Sequence, residues 1–230
     1  MKILLLSISI MILNVAGNET VRDSDKTDYT KRIFHENSNY TKLKGDKKKQ
    51  PGLQSDRITV LEFFLYSCPS CYRLEPKLER WIGENSDKVI LKRIPAVVTP
   101  DWVPLAKAYY IAEHLGIIKK THKLLFSAIH QNKKVYLNEY SLSQFFESQG
   151  VDKEKFIALY NSSDIMEKVS HARILTVRYG LRGVPSIVIN NEYITAPFYN
   201  KNQEEMLEVM SFLIDEIFDK KLNFTKELIK

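Results

Sequence analysis

The sequence predicts an α/β fold in which a mixed sheet is interrupted by an all-helical insertion. Three observations carry that prediction. Two nearly continuous apolar runs, RITVLEFFLY and KVILKRIPAV, are joined by one helical pattern. Only helical periodicity follows from Thr99 to Arg182. A strand-turn-strand signal, GVPSIVINNEYIT, then precedes a last amphipathic helix. With 44% hydrophobic and 27% charged residues the chain has the make-up of a folded, water-soluble protein, which excludes a disordered polymer and a membrane bundle.

The elements follow in order. MKILLLSISIMILNVAGNE has Lys2, an apolar core from Ile3 to Leu13, and Val15 and Gly17 spaced for cleavage, so residues 1–17 are expected to be a signal peptide and the mature chain exported. That core is short for a bilayer-spanning anchor, the competing reading. Residues 18–56 are polar, with a possible edge strand near 39–43 in NYTKL. The formal net charge of +6 owes much to KLKGDKKKQPG; without interleaved aromatics or a base-reading motif this is a solvated linker, and no nucleic-acid partner is expected. RITVLEFFLY is rich in β-branched and aromatic residues, as a strand buried on both faces must be. After it Cys71, Leu74, Leu78 and Trp81 recur at helical spacing, and Gly83 with Asn85 marks the stop. KVILKRIPAV completes a βαβ unit with a parallel strand pair. Residues 57–98 and 183–222 are therefore assigned to a sheet domain, 99–182 to the helical insertion and 223–230 to a tail. The order βαβ, helical block, ββα is that of a thioredoxin-like sheet with a helical insertion.

The chain has two cysteines, Cys68 and Cys71, both at the corner between the first strand and its helix. Proline is favoured at the first helical position, so Pro69 there makes Cys68 the N-cap and Cys71 the third helical residue. The amides of Ser70 and Cys71 then lack intrahelical partners and point at the Cys68 sulfur, beside the positive end of the helix dipole. A thiolate gains more from this than a thiol, so the Cys68 pKa should fall and its reactivity in thiol exchange rise. Cys71, one turn in on the apolar face, should be buried and slower. Two alternatives compete. A zinc site needs two further ligands, and His114, His122 and His130, eight apart, turn by roughly 80° per step on a helix and cannot line one face. A purely structural disulfide across so short a loop would remove little chain entropy.

Two further positions stand out. In RGVPS, a proline opening a strand removes a ladder donor; a cis Val184-Pro185 bond would present backbone groups beside the sulfurs, an edge for a substrate peptide. The alternative is an edge-strand proline. Glu62, amid Val60, Leu61, Phe63 and Phe64, needs a partner or a raised pKa if buried, with Arg93 favoured over Lys92, and beneath Cys71 it could accept or relay that thiol's proton. Its alternative is a strand-end acid facing solvent. Glu75 reads as a surface or paired acid.

Through NYTKL, VLEFFLYSCPSCYRLEP, the strand with Arg93 and LRGVPSIVINNEY the chain resembles the DsbA family of periplasmic thiol:disulfide oxidoreductases, over nearly the whole mature length. The resemblance implies a disulfide donor to unfolded exported polypeptides, itself reoxidised by a membrane oxidase of the DsbB type. It implies Cys68 as exposed nucleophile, Cys71 as resolving cysteine, Pro185 as cis proline and Glu62 as buried acid; Val184, Pro185, Pro69 and Ser70 form the surface a substrate meets. A monomer is expected, with no cofactor and no metal. The family's best-known members carry histidine where this chain has Ser70, and a hydroxyl brings no charge to the thiolate, so a weaker oxidant is predicted. Other functions remain: a reductase or isomerase using the same pair, a non-catalytic peptide-binding module, or a glutathione-dependent enzyme.

Overall fold

The computed structural model describes residues 33–43 and 57–228, with side chains to residue 220. The expected signal peptide and most of the polar segment lie outside the described residues. Among the described residues five strands form one sheet: β1 (Thr41–Lys42), β2 (Ile58–Phe64), β3 (Val89–Pro95), β4 (Ser186–Ile189) and β5 (Tyr193–Thr195), in the spatial order β1-β5-β4-β2-β3. Only β2 and β3 run parallel, because helix α1 (Pro69–Glu84) carries the chain over the sheet between them. Their register places Glu62 opposite Arg93.

Every residue of β2 is buried, and the two faces of the sheet explain why. On one face Ile58, Val60, Ile187 and Ile189 pack with Leu74, Leu78 and Trp81 of α1 and with Met206, Val209, Met210 and Leu213 of the last helix, α7 (Gln203–Leu228). On the other, Leu61, Phe63, Ile94 and Val188 pack against Ala172, Leu175 and Tyr179. The first two of those belong to α6 (Ser163–Arg178), the last of the five α-helices that lie between β3 and β4 among the described residues. The others are α2 (Val103–His114), α3 (Ile118–His130), α4 (Glu139–Glu147) and α5 (Lys153–Tyr160). Asn138, Asp152 and Ser162 cap α4, α5 and α6, each accepting from an amide three residues on, so polar side chains set these boundaries. The helical core does not stand apart from the sheet: Phe64, Leu65, Tyr66 and Cys71 belong to the same cluster as Phe126, Phe146 and Phe156.

Two boundaries differ from the sequence reading. β4 begins at Ser186 rather than Gly183, since Pro185 has no N–H to give and the first ladder pair is Phe63 with Ser186. α7 continues to Leu228, past the start assigned to a tail at residue 223. The hairpin turn is closed by the Glu192 amide donating to the Ile189 carbonyl at 2.9 Å, with Asn190 and Asn191 at its two central positions, both at positive φ, 51° and 53°, and three residues separate the paired Ile189 and Tyr193.

The Asn191 side chain also anchors that turn to the helical block, accepting from the buried Tyr179 hydroxyl at 2.6 Å. Tyr179→Phe leaves a buried amide oxygen without its donor and is expected to cost ~1–2 kcal/mol in urea unfolding; an unchanged midpoint would show that the anchor carries no stability.

Candidate active site

The corner after β2 is built by local rules. Cys68 N donates to the Leu65 carbonyl at 3.0 Å and closes a turn; Cys68 then sits at the helix N-cap in extended backbone, with Pro69 at the first helical position. The Cys71 amide donates to Cys68 Sγ at 3.3 Å. Cys68 is half-buried and Cys71 fully buried, both as free thiols.

The two sulfurs are driven in opposite directions. The Cys68 pKa falls from 9.0 to about 6. The Cys71 thiol, donating to the Cys68 sulfur, contributes most; partial burial opposes it, and the Cys71 and Ser70 amides and the Arg73 charge add to it. Cys71 is pushed strongly up, by burial first, then by its bond and proximity to Cys68, with the Glu62 charge adding. The amide contribution was readable from capping rules. The larger one, from Cys71's own thiol, was not, because it requires the second sulfur to keep its proton.

Across the corner, the Val184–Pro185 peptide bond is cis. Pro185 is buried and Val184 half-buried, and the Val184 carbonyl accepts from the Cys68 thiol at 3.4 Å. Of the other residues singled out from the sequence, Pro69 is exposed at the helix tip and Ser70 half-buried beside it.

Beneath the sulfurs lies a buried charged cluster. Glu62 is 0% exposed, so it does not face solvent; Arg93 Nε donates to its Oε2 at 3.0 Å. Arg93 Nη2 donates in turn to Glu75, 4% exposed, which is buried and paired rather than a surface acid. His122 Nε2 lies 3.3 Å from the other Glu75 oxygen, and His122 Nδ1 is 2.8 Å from the Tyr66 hydroxyl. His130 Nε2 reaches the Tyr66 carbonyl at 2.8 Å, its ring stacked on Tyr72. Two carboxylates thus share one guanidinium. Burial, reinforced by the Glu75 charge and opposed by Arg93, pushes the Glu62 carboxyl up to about 8. Burial also pushes Glu75 up, but His122, Arg93 and Lys123 more than offset it and hold Glu75 below the usual range. Burial pushes His122 towards its neutral form, against its bond to Glu75, whereas Arg93 is held firmly charged by the two carboxylates it pairs with.

Sequence reasoning missed Tyr66, His122 and His130 as neighbours of this site. The spacing argument treated three histidines as if on one helix, whereas His114 ends α2 and the other two lie on α3. No local pattern flags them, because their position depends on α3 docking against the corner.

Residues 88–210 match the family described as DSBA-like thioredoxin domain. The thiol:disulfide interchange protein DsbA of Burkholderia cepacia is 35% identical over 177 residues, 76% of this chain and 84% of that protein. The protein of the same name from Pseudomonas aeruginosa is 32% identical over 166 residues, 72% of this chain and 79% of its own. Among solved structures, Pseudomonas aeruginosa DsbA superposes with a TM-score of 0.74 at 29% identity, covering 82% of this chain and 96% of that one. The oxidoreductase DsbA from Xylella fastidiosa does so at 0.72 and 27%, covering 79% and 96%.

Two outcomes follow from the electrostatics. Titrating the reduced protein by thiolate absorbance in the ultraviolet should give one transition near pH 6, absent in Cys68→Ser; a transition at the alkaline value of a free cysteine would refute the helix-tip account. The second concerns Glu62. Its carboxyl, raised from 4.5 to about 8, keeps a proton in the folded chain that the unfolded chain has released. Its contribution to stability is whole below the unfolded pKa and is lost as pH rises through the folded one. For the reduced proteins, Glu62→Gln should therefore lose less stability in urea between about pH 5 and 8 than the unsubstituted chain; parallel losses would mean that Glu62 is ionised throughout.

Proposed function

The chain belongs to the DsbA family and is a thiol:disulfide oxidoreductase with a thioredoxin-like fold, and from that premise we propose that it introduces disulfide bonds into exported polypeptides by exchange through Cys68 and Cys71. The observation that carries this reading is the asymmetry of the sulfurs: Cys68 at the helix tip, half-exposed and accepting an amide at 3.3 Å, and Cys71 sealed beneath it.

A substrate thiolate attacks Cys68 Sγ of the Cys68–Cys71 disulfide. The sulfur–sulfur bond breaks, its electron pair leaves on Cys71, and a mixed disulfide forms. Burial keeps a thiolate at Cys71 costly, so that sulfur takes a proton, and Glu62, whose carboxyl still carries one near neutrality, is the acid we assign to supply it. A second substrate thiolate then attacks the substrate sulfur and expels Cys68 as a thiolate. The substrate has lost two electrons and gained a disulfide; the protein holds them as a thiolate and a thiol. Because the helix tip stabilises that thiolate, the reduced protein is favoured and the disulfide acts as an oxidant, weaker than in family members that carry histidine in place of Ser70.

The cis Val184–Pro185 segment supports docking of an extended peptide beside Cys68, with Pro69 and Ser70 forming the opposite rim. Return to the disulfide requires an external oxidant, for which a DsbB-type membrane partner is the family's expectation. The apolar N-terminus read as a cleavable signal supports a periplasmic site of action. Among the described residues no helix is long and apolar enough to cross a membrane. We assign the working unit as a monomer, with the sheet domain at 57–98 and 183–222 and the helical insertion at 99–182.

Oxidase and reductase use the same residues and separate on the equilibrium of the pair with glutathione. An oxidase equilibrates far towards its reduced form, whereas a thioredoxin-like potential would assign the opposite direction. Cys71→Ser, first charged at Cys68 as the mixed disulfide with glutathione, should exchange onto an unfolded, cysteine-containing substrate with release of glutathione and accumulate protein–substrate mixed disulfides on non-reducing gels, and Cys68→Ser treated in the same way should form none. Adducts on Cys71 in place of Cys68 would reverse the roles given to the two sulfurs.

A further inference from the structure

The residue between Pro69 and Cys71 is held from the far end of the chain. Gln203, first residue of α7 and only 8% exposed, donates from Nε2 to the Ser70 carbonyl at 2.8 Å and to Ser70 Oγ at 3.3 Å. Two more polar ties run along the seam between α1 and α7. Lys77 pairs with Glu204 at 2.6 Å, and Trp81 Nε1 donates to Ser211 Oγ at 2.8 Å. Of the three, only the Gln203 contact touches the turn that carries the sulfurs.

Its position matters because a peptide unit is planar and rigid. The Ser70 carbonyl and the Cys71 N–H belong to one such unit, and that N–H is the donor to Cys68 Sγ at 3.3 Å. A donor on the carbonyl side fixes the plane and so the aim of the N–H. It also polarises the unit: in a chain of hydrogen bonds, accepting at oxygen strengthens donation at nitrogen. The run from Gln203 N–H to the Ser70 carbonyl, and from the Cys71 N–H to the Cys68 sulfur, is such a chain. It begins at a side chain buried well enough that water competes little for the first bond.

We propose that Gln203 is a positioning residue of the exchange reaction, acting through the Ser70–Cys71 peptide group to aim and strengthen the amide that donates to Cys68. The proposal rests on the reading of Cys68 as the sulfur that exchanges with substrate. It gives α7 a part in setting the redox equilibrium, although α7 contributes no reacting atom. The Cys71 and Ser70 amides are both among the groups that lower the Cys68 pKa, which agrees with a device that holds this turn in place.

The test uses the reduced full-length protein and follows Cys68 by thiolate absorbance and by equilibrium with glutathione. Gln203→Ala should raise the Cys68 acid dissociation midpoint and shift the equilibrium towards the oxidised protein, each by about threefold to tenfold in the underlying constant. Gln203→Met keeps side-chain length and fills the seam, so the same shift there excludes a general loosening of α7. In a Ser70→Ala background the Gln203→Ala shift should persist, because the carbonyl remains. Loss of the shift in that background would transfer the role to the hydroxyl and overturn the proposal. A change in thermal stability with an unmoved Cys68 titration would overturn it as well, leaving Gln203 a structural residue. If instead the unsubstituted protein titrates as an ordinary thiol, the failure belongs to the exchange mechanism itself.

Discussion

The chemistry depends on how much negative charge the Cys68 sulfur can carry. Its half-buried position works against an anion, and the structure answers with donors gathered on one atom: the Cys71 thiol, the Cys71 amide and the Ser70 amide, with Arg73 nearby. The largest of these is also the partner sulfur. A thiol can donate only while it holds its proton, so the bond that depresses Cys68 also adds to the elevation of Cys71, of which burial is the larger cause. Division of labour between nucleophile and resolving thiol follows from that bond together with unequal burial.

The cluster beneath the sulfurs has a different character. Two enclosed carboxylates on a single half-buried guanidinium are poor evidence of stability, since desolvation of the charges consumes most of what pairing returns. Their value lies in holding a proton. Glu62 is fixed opposite Arg93 by the parallel register of β2 and β3, and Arg93 is claimed in part by Glu75, which leaves Glu62 undercompensated and partly protonated near neutrality. The helical block closes this arrangement from the side: α3 brings His122 to Glu75 and Tyr66, and His130 to the Tyr66 carbonyl. The insertion is thereby keyed to the corner that bears the cysteines.

What could be read from the sequence, and what could not, divides along a physical line. The N-cap position of Cys68, the two-asparagine turn and the Glu62–Arg93 pairing were legible because each follows from a rule acting within a few residues or across one strand pair. The thioredoxin-like sheet with its helical block was legible from apolar periodicity alone. Glu75 remained ambiguous, since its spacing on α1 does not reveal whether α3 covers it. Gln203 was invisible: a glutamine at the start of an amphipathic helix is unremarkable until that helix docks 133 residues away from the turn it contacts. Contacts of this kind arise from how whole elements pack, and no local pattern encodes them.

The two unusual ionisations also act against each other, with consequences for the reduced state. Cys68 releases a proton on folding where pH lies between about 6 and 9, so its contribution to stability grows as pH rises across that window. Glu62 takes one up between 4.5 and about 8, so its contribution shrinks over its own window. Where the windows overlap, from about 6 to 8, one group gives up roughly what the other receives, and folding of the reduced protein becomes nearly neutral in protons with respect to this pair. Once the disulfide forms, the Cys68 ionisation disappears and the compensation with it. A buried acid placed beneath a helix-tip thiolate therefore does more than supply a proton to Cys71: it flattens the pH dependence of the reduced state across the range in which exchange takes place.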